Sequence, residues 1–237
     1  MKGIGGDSSR RDFLRVVGMG GGAAALMAVG AKRAAAADPS IVVGFGNAAV
    51  GAERIAVAFY SNALGIGSAF GVAGDRAKGT LLNHDHREYF EAARNQEQSH
   101  LDVLLGAGLG LDFPYHQFAF PAGTFRSPSA MLAFGESLES IFIGAYLGAI
   151  KAASALGDGL GVTLAELAGE ILGVECEHRA LIRGIAGEDP PNDRFYEGNM
   201  GPAPSGVLGD TGSRSTTFAL GGDAVNALVA LGIQPVS

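Results

Sequence analysis

The chain has little cysteine, no tryptophan and little positive charge. Cys176 is the single cysteine among 237 residues. One cysteine excludes an intramolecular disulfide framework, and it excludes the Cys-x-x-Cys pairs that bind structural zinc or a rubredoxin-type iron. The chain has only 17 Lys and Arg residues against 24 Asp and Glu residues, which gives a formal net charge of −7. No Lys/Arg cluster is placed to bind phosphates, so the composition argues against nucleic-acid binding.

Part of the scarce positive charge lies at the beginning of the chain. Ser9-Arg10-Arg11-Asp12-Phe13-Leu14 resembles the twin-arginine export signal, and a Gly-rich, weakly apolar run and four alanines follow it. The apolar run has about 14 residues, whereas a membrane span needs about 20. We therefore predict a signal peptide over residues 1–37 that the twin-arginine export machinery recognises. The expected location is periplasmic or extracellular, with no membrane contact in the mature form.

The chain beyond the signal has the length of one domain that buries a substantial core. Four segments have apolar residues at helical spacing, and breaks rich in Gly, Pro and Asp separate them. This pattern predicts an all-α four-helix bundle over residues 38–190, with a long crossover between helices two and three. An irregular Gly/Pro-rich C-terminal extension is expected over residues 191–237, where only the segment from Asp223 to Leu231 favours a further helix.

The limits of the predicted helices are set by residues that favour helix ends. Asn83 or Asp85 is expected to cap helix two, and Glu166 is placed for a capping box with Thr163 at the start of helix four. Helix one is predicted over about 48–64, and helix two from 83 or 85 to 105. Helix three follows a crossover over 111–128 and ends at 156. Helix four is predicted from 163 to 184 or 187.

Two Glu-x-x-His pairs carry the main chemical signal, Glu97 with His100 and Glu175 with His178. A spacing of three places both side chains of a pair on one helical face, so that both reach a single metal ion. Each pair also lies on the apolar stripe of its helix, where an ionised Glu is costly unless it is paired, protonated or bound to a cation. The pairs therefore indicate a metal site.

Helices one and three each add a lone acid on the apolar face, Glu53 and Glu139, and a tyrosine follows each by seven residues, Tyr60 and Tyr146. Glu136, one turn earlier, is an alternative to Glu139. We interpret the tyrosines as packed core residues, with hydrogen bonds to ligand carboxylates or electron transfer as the alternative. The predicted ligands for two divalent metal ions are Glu53, Glu97, His100, Glu139, Glu175 and His178.

At these positions the chain resembles the ferritin-like superfamily, especially its exported bacterial branch related to plant desiccation-associated proteins. The resemblance implies that Glu97 and Glu175 bridge two metals, while each histidine and each lone Glu binds one. Many relatives have a second Glu one turn after the helix-one ligand, where this chain has Ala56. The resemblance rests on residues 53–60, 97–100, 138–139 with 145–149, and 174–178.

The resemblance implies a di-iron centre, with manganese as the second choice, that reacts with dioxygen or peroxide as a small-molecule partner. The alternative is a non-catalytic stress-related, desiccation-related or surface protein on the same bundle. A mineral-storing cage fits less well, because the Gly/Pro-rich extension resembles no cage-forming helix. Association into a homo-oligomer stays open at this level.

The remaining histidines, the cysteine and one glycine-rich segment receive structural interpretations. His84 and His86 lie among polar residues at a helix start and are expected to be solvated, and His116 lies in a loop. Cys176 is expected to be a small buried hydrophobe. The segment 106–110 follows a helix instead of a strand, which excludes a dinucleotide-binding loop.

Overall fold

The computed structural model describes residues 39–72, 76–77, 82–111, 113–188, 191 and 223–236. The predicted signal peptide and most of the predicted C-terminal extension lie outside the described residues, so the division of the chain at residues 37 and 190 stays a prediction. The elements are α1 (Pro39–Ala63), α2 (His84–Gly106), β1 (Gln117–Ala119), α3 (Pro128–Ala155), α4 (Gly159–Ala186), α5 (Asp223–Ala230) and β2 (Gln234–Val236). The predicted all-α four-helix bundle is confirmed.

Local capping explains where three of the long helices begin. The Asn83 side chain accepts a hydrogen bond from the backbone nitrogen of His86 at 2.8 Å, so Asn83, one of the two predicted caps, begins α2, and the alternative Asp85 lies in its first turn. Ser127 caps α3 ahead of a proline at the first turn. Asp158 caps α4 by accepting from the Gly161 nitrogen at 2.8 Å.

Two predicted helix starts are wrong. Helix four begins at Gly159 instead of Thr163, because Asp158 is the cap; Thr163 lies inside α4 and its hydroxyl donates to the Gly159 carbonyl. Helix one begins at Pro39, well before residue 48. Gly44 and Gly46 weaken the local helix signal there, whereas packing against the end of α2 favours the helix.

Side-chain contacts define how the four long helices run. Arg87 near the start of α2 donates to the Leu64 carbonyl just after α1, so α1 and α2 are antiparallel. Three residues, 156–158, join α3 to α4, which makes this pair antiparallel as well. Tyr60 of α1 meets Glu139 of α3, while residues earlier in α1 meet residues later in α3. Helices α2 and α3 therefore run parallel, and the long crossover 107–127 spans the bundle.

The crossover holds the C-terminal segment and is itself tied to α1. Strand β1 pairs antiparallel with β2, with Phe118 opposite Pro235. The guanidinium of Arg54 donates to the Tyr115 carbonyl at 2.8 Å and lies 5.6 Å from the centroid of the Phe113 ring. Burial lowers the pKa of Arg54. The two strands have three residues each, too few for sequence periodicity to indicate them.

The hydrophobic core consists of two clusters. One surrounds Phe59, whose ring lies 5.9 Å from those of Phe125 and Phe134. The other contains Phe45, Leu104 and neighbouring aliphatic side chains toward the opposite end of the bundle. Ile41–Ala63 and Pro128–Ala155 are long and apolar enough by composition to cross a membrane, but half or more of each apolar window is buried inside the bundle.

A pair of glycines in α1 tests the close approach of this helix to the start of the crossover, just after α2. A Cβ atom at Gly46 would lie 2.5 Å from the backbone nitrogen of Gly110, which has a φ of 61°, whereas a Cβ at Gly44 meets no atom within 4 Å. We expect Gly46→Ala to lower the free energy of unfolding by about 1–3 kcal/mol. Gly44→Ala should leave it unchanged or raise it by up to about 1 kcal/mol, because Ala favours a helix. Urea unfolding followed by circular dichroism measures both, and equal effects would contradict this packing.

Candidate metal centre

Six side chains from the four long helices converge between the two apolar clusters. All but one are nearly inaccessible: the glutamates and His178 are at most 1% exposed, while the His100 side chain is 14% exposed. They face inward because each occupies the apolar stripe of its helix. The converging residues are Glu53 of α1, Glu97 and His100 of α2, Glu139 of α3, and Glu175 and His178 of α4.

These side chains form two groups that share two members. In each group, one potential ligand atom per residue lies within 4.8 Å of the others. One group has Glu53 and His100 as its own members, the other has Glu139 and His178, and both include Glu97 and Glu175. The predicted convergence is therefore present, with the glutamates of the two Glu-x-x-His pairs at the centre. The role of the six residues as metal ligands stays a prediction.

Each shared glutamate presents a different oxygen to each histidine. Glu97 Oε2 lies 3.1 Å from His100 Nδ1, and Glu97 Oε1 lies 2.8 Å from His178 Nδ1. Glu175 Oε1 lies 3.9 Å from His100 Nδ1, and Glu175 Oε2 lies 3.5 Å from His178 Nδ1. Each of the two shared carboxylates therefore directs one oxygen toward the histidine of either group.

Several buried polar atoms of the centre have no hydrogen-bond partner. Among the described residues, both oxygens of Glu175, Glu97 Oε1, Glu139 Oε2 and His178 Nδ1 are in this condition. His178 Nδ1 is close to Glu97, but without the geometry of a hydrogen bond. Unpaired buried polar atoms are costly, and cations bound in the two groups would give them partners. The donor set therefore fits divalent metal ions.

The electrostatics of the centre favour an added positive charge. Burial raises the pKa of Glu97, Glu139 and Glu175, and neighbouring carboxylates raise these pKa values further. Burial disfavours protonated histidine, but hydrogen bonds with Glu53 and Glu97 outweigh it and raise the pKa of His100 to about 10. Contacts with Glu175 and Glu97 likewise raise the pKa of His178 to about 11. Protons or metal ions must balance the carboxylates, so the two compete.

Two tyrosines hold the lone glutamates across the bundle. The Tyr60 hydroxyl donates to Glu139 Oε1 at 2.5 Å, and the Tyr146 hydroxyl donates to Glu53 Oε1. Burial and the nearby carboxylates raise the pKa of both tyrosines well above its usual value, so they remain protonated donors. Both are packed core residues, and both also make the hydrogen bond that the alternative interpretation proposed. Each leaves the second oxygen of its glutamate directed at the centre.

Gln96 is a contributor that the sequence analysis missed. Its Oε1 accepts a hydrogen bond from His178 Nε2 at 2.9 Å, which leaves His178 Nδ1 facing the carboxylates. The corresponding position before the second Glu-x-x-His pair is Val174, which has no such acceptor. Gln96 is exposed, and a polar residue on an exposed helix surface gives no sequence signal that separates it from ordinary solvated residues.

The structure distinguishes Glu139 from its alternative. Glu139 is fully buried in the second group of the centre. Glu136 lies outside the centre, where its carboxylate pairs with the guanidinium of Arg183 and lies 3.5 Å from that of Arg179. These two arginines of α4 therefore account for Glu136 as an interhelical ion-pair residue.

The other histidines and the cysteine lie away from the centre. His84 and His116 are exposed, in accord with the expectation of a solvated and a loop residue, whereas His86 is half-buried at the start of α2. The expectation that Cys176 is buried is wrong, because the residue is exposed on α4. One residue step rotates a helical side chain by about 100°, which carries Cys176 from the buried face of Glu175 to the outer surface.

Comparison with known proteins agrees with this geometry. The profile of one protein family, described as the ferritin-like domain, matches residues 43–188. No significant match was found among curated proteins or among solved structures. The matched range contains the six converging residues and nearly all of the four long helices. The chain therefore belongs to the ferritin-like family.

Proposed function

We propose that this protein binds two divalent metal ions between its four long helices and uses them in redox chemistry with dioxygen or peroxide. The observation that carries the proposal is the sharing of Glu97 and Glu175, each of which presents one oxygen to each histidine. Two cation positions, instead of one, follow from that arrangement. Four carboxylates also match the charge of two divalent ions.

Iron is our first choice of metal and manganese the second. Carboxylate oxygens outnumber imidazole nitrogens in the centre, which disfavours the thiolate-seeking metals. The two imidazoles suit iron better than manganese, which prefers oxygen ligands alone. When bound, a pair of such ions supplies electron transfer to dioxygen or peroxide.

The residues of the chain would hold the metal ions and shield them from water. His178 binds through Nδ1 because Gln96 engages its Nε2 atom. Tyr60 and Tyr146 orient the lone glutamates by donating hydrogen bonds from their hydroxyl groups. The apolar clusters on both sides keep water out, and we propose that small molecules enter near His100, the most exposed of the six side chains.

We also propose that the protein is exported by the twin-arginine route and acts in the periplasm or outside the cell. The twin-arginine-like segment near the start of the chain supports this location. Because that route carries folded proteins, the metal ions would be acquired before export.

A second candidate function is a non-catalytic stress-related or desiccation-related role. The centre joins all four long helices through buried side chains, so metal ions there would stabilise the bundle even without turnover. Turnover therefore separates the two candidates, and metal binding by itself does not.

The sharing pattern predicts how single substitutions change metal stoichiometry. The wild-type chain should bind about two Fe(II) or Mn(II) ions in equilibrium dialysis without oxygen. Glu97→Gln and Glu175→Gln each remove a ligand that both groups share, so each should weaken the binding of both ions. Glu53→Gln and Glu139→Gln each affect one group and should leave about one ion tightly bound.

The matched control for these substitutions is Glu166→Gln, an exposed glutamate of α4 outside the centre, which should keep full stoichiometry. Circular dichroism must show that every variant keeps its helix content. Wild-type protein that binds no metal, or equal stoichiometry in all five variants, would contradict the proposed centre.

The hydrogen bond between Gln96 and His178 predicts a selective effect on metal affinity. Gln96→Leu should lower the affinity for one of the two metal ions by about 10–100-fold, because His178 loses the acceptor that orients it. Gln96→Glu restores an acceptor and should recover most of the affinity. Metal titration followed by dialysis measures the effect, and urea unfolding of metal-free protein should change little because Gln96 is exposed.

Gln98→Leu provides the control for this experiment. Gln98 lies on the same helix and donates to Asp102 at 2.9 Å, away from the centre. An equal loss of affinity in Gln96→Leu and Gln98→Leu would show that Gln96 does not position His178.

Turnover assays distinguish redox chemistry from a purely structural metal. We expect protein loaded with Fe(II) to oxidise the metal with dioxygen or peroxide faster than buffer does, and Glu97→Gln to lose this activity. Absorbance spectroscopy after mixing follows the oxidation. A metal-dependent rise in melting temperature without any oxidation above the Glu97→Gln background would favour the non-catalytic role instead.

A further inference from the structure

A cavity lies on the outer side of the α1–α3 pair, under the C-terminal segment. Its volume is about 250 Å³. Residues of α1 and α3 form its floor, both small ones such as Gly51 and Ala145 and larger ones such as Phe142. Leu228 of α5 and Ile233 close it from outside. The pairing of β2 with β1 ties one end of this cover to the crossover.

The lining is apolar. None of the described residues that line the cavity is charged, and Asn47 and Tyr115 supply its polar side chains. The backbone groups of the helical lining are largely paired within their own helices. A buried water needs two to four polar partners, so most of this space suits an apolar occupant better than water.

The cavity is separate from the candidate metal centre. Gly51 lines the cavity, and Glu53, two residues further along α1, is rotated by about 200° from it around the helix. The carboxylate of Glu53 points into the bundle, where it meets Tyr146 and His100. An occupant of the cavity would therefore contact the face of α1 that is turned away from the metal centre.

We propose that this cavity binds a compact, uncharged, apolar small molecule of one or two aromatic rings or similar bulk. An engineered apolar cavity of about 150 Å³ in another protein stays dry and binds benzene, so the larger space here accommodates a benzene or indole ring system. The absence of a charged lining residue disfavours the ionised analogues of such molecules. A bound molecule would stabilise the docking of the C-terminal segment on the bundle.

The test uses the full chain with benzene and indole as probes and benzoate as the charged control. At ten times its dissociation constant, a neutral probe should raise the melting temperature by about 3–5 °C. Calorimetric titration with indole should be saturable, with the negative heat-capacity change of apolar burial. Benzoate should produce neither effect. These measurements require no metal, so their outcome is independent of the redox proposal.

Two variants that fill the cavity locate the binding. Ala145→Leu places a larger side chain in it from α3, and Ala48→Leu does so from α1, so one remains informative if the other fails to fold. Ala152→Leu, on α3 beyond the cavity lining, is the matched control and should bind both neutral probes like the wild type. The proposal is overturned if neither neutral probe binds the wild type saturably, if benzoate binds as well as benzene, or if the folded filled variants still bind the probes.

Discussion

The meeting of four carboxylates and two imidazoles in the dry middle of the bundle is the interaction on which the rest of the structure depends. A buried carboxylate without a partner is strongly unfavourable, so each helix must bring its acid to a place where a proton, a hydroxyl or a cation compensates the charge. Tyr60 and Tyr146 meet this need for the lone acids, and the histidines meet it for Glu97 and Glu175. These contacts join α1 to α3 and α2 to α4, and they divide the apolar core into its two clusters.

The centre has an approximate two-fold relation between the α1–α2 pair and the α3–α4 pair. A lone Glu with a tyrosine seven residues later occurs once in each pair, and so does Glu-x-x-His. The tyrosine of each pair holds the glutamate of the other, which locks the two pairs together. Gln96 breaks this relation, because only His178 of the two histidines has this amide acceptor on its outer nitrogen. The two histidines also differ in exposure, since the side chain of His100 is 14% exposed and that of His178 is 1% exposed.

Helices α1 and α3 contact the candidate metal centre with one face and the cavity under the C-terminal segment with the opposite face. Their inner faces bear the acids and tyrosines, whose hydrogen bonds set the separation of the two helices. Their outer faces are largely apolar and include Gly51 and several alanines, and the C-terminal segment covers the cavity that they line. The crossover supports both arrangements, since Arg54 fastens it to α1 and β1 pairs with β2. An isolated bundle without the C-terminal segment would expose this apolar surface.

The sequence by itself determined the elements whose cause is local. Helical periodicity predicted four long helices, Asn83 predicted the start of one, and the three-residue spacing placed Glu97 with His100 on one face. The sequence also predicted which six side chains converge, but the tertiary structure decided the individual contacts that they and their neighbours make across the bundle. Glu136 and Glu139 share one stripe, and the arginines of the neighbouring helix, Arg179 and Arg183, give Glu136 an environment different from that of Glu139. Gln96, the β1–β2 pair and the early start of α1 depend on partners distant in sequence, and periodicity within one segment carries no information about such partners.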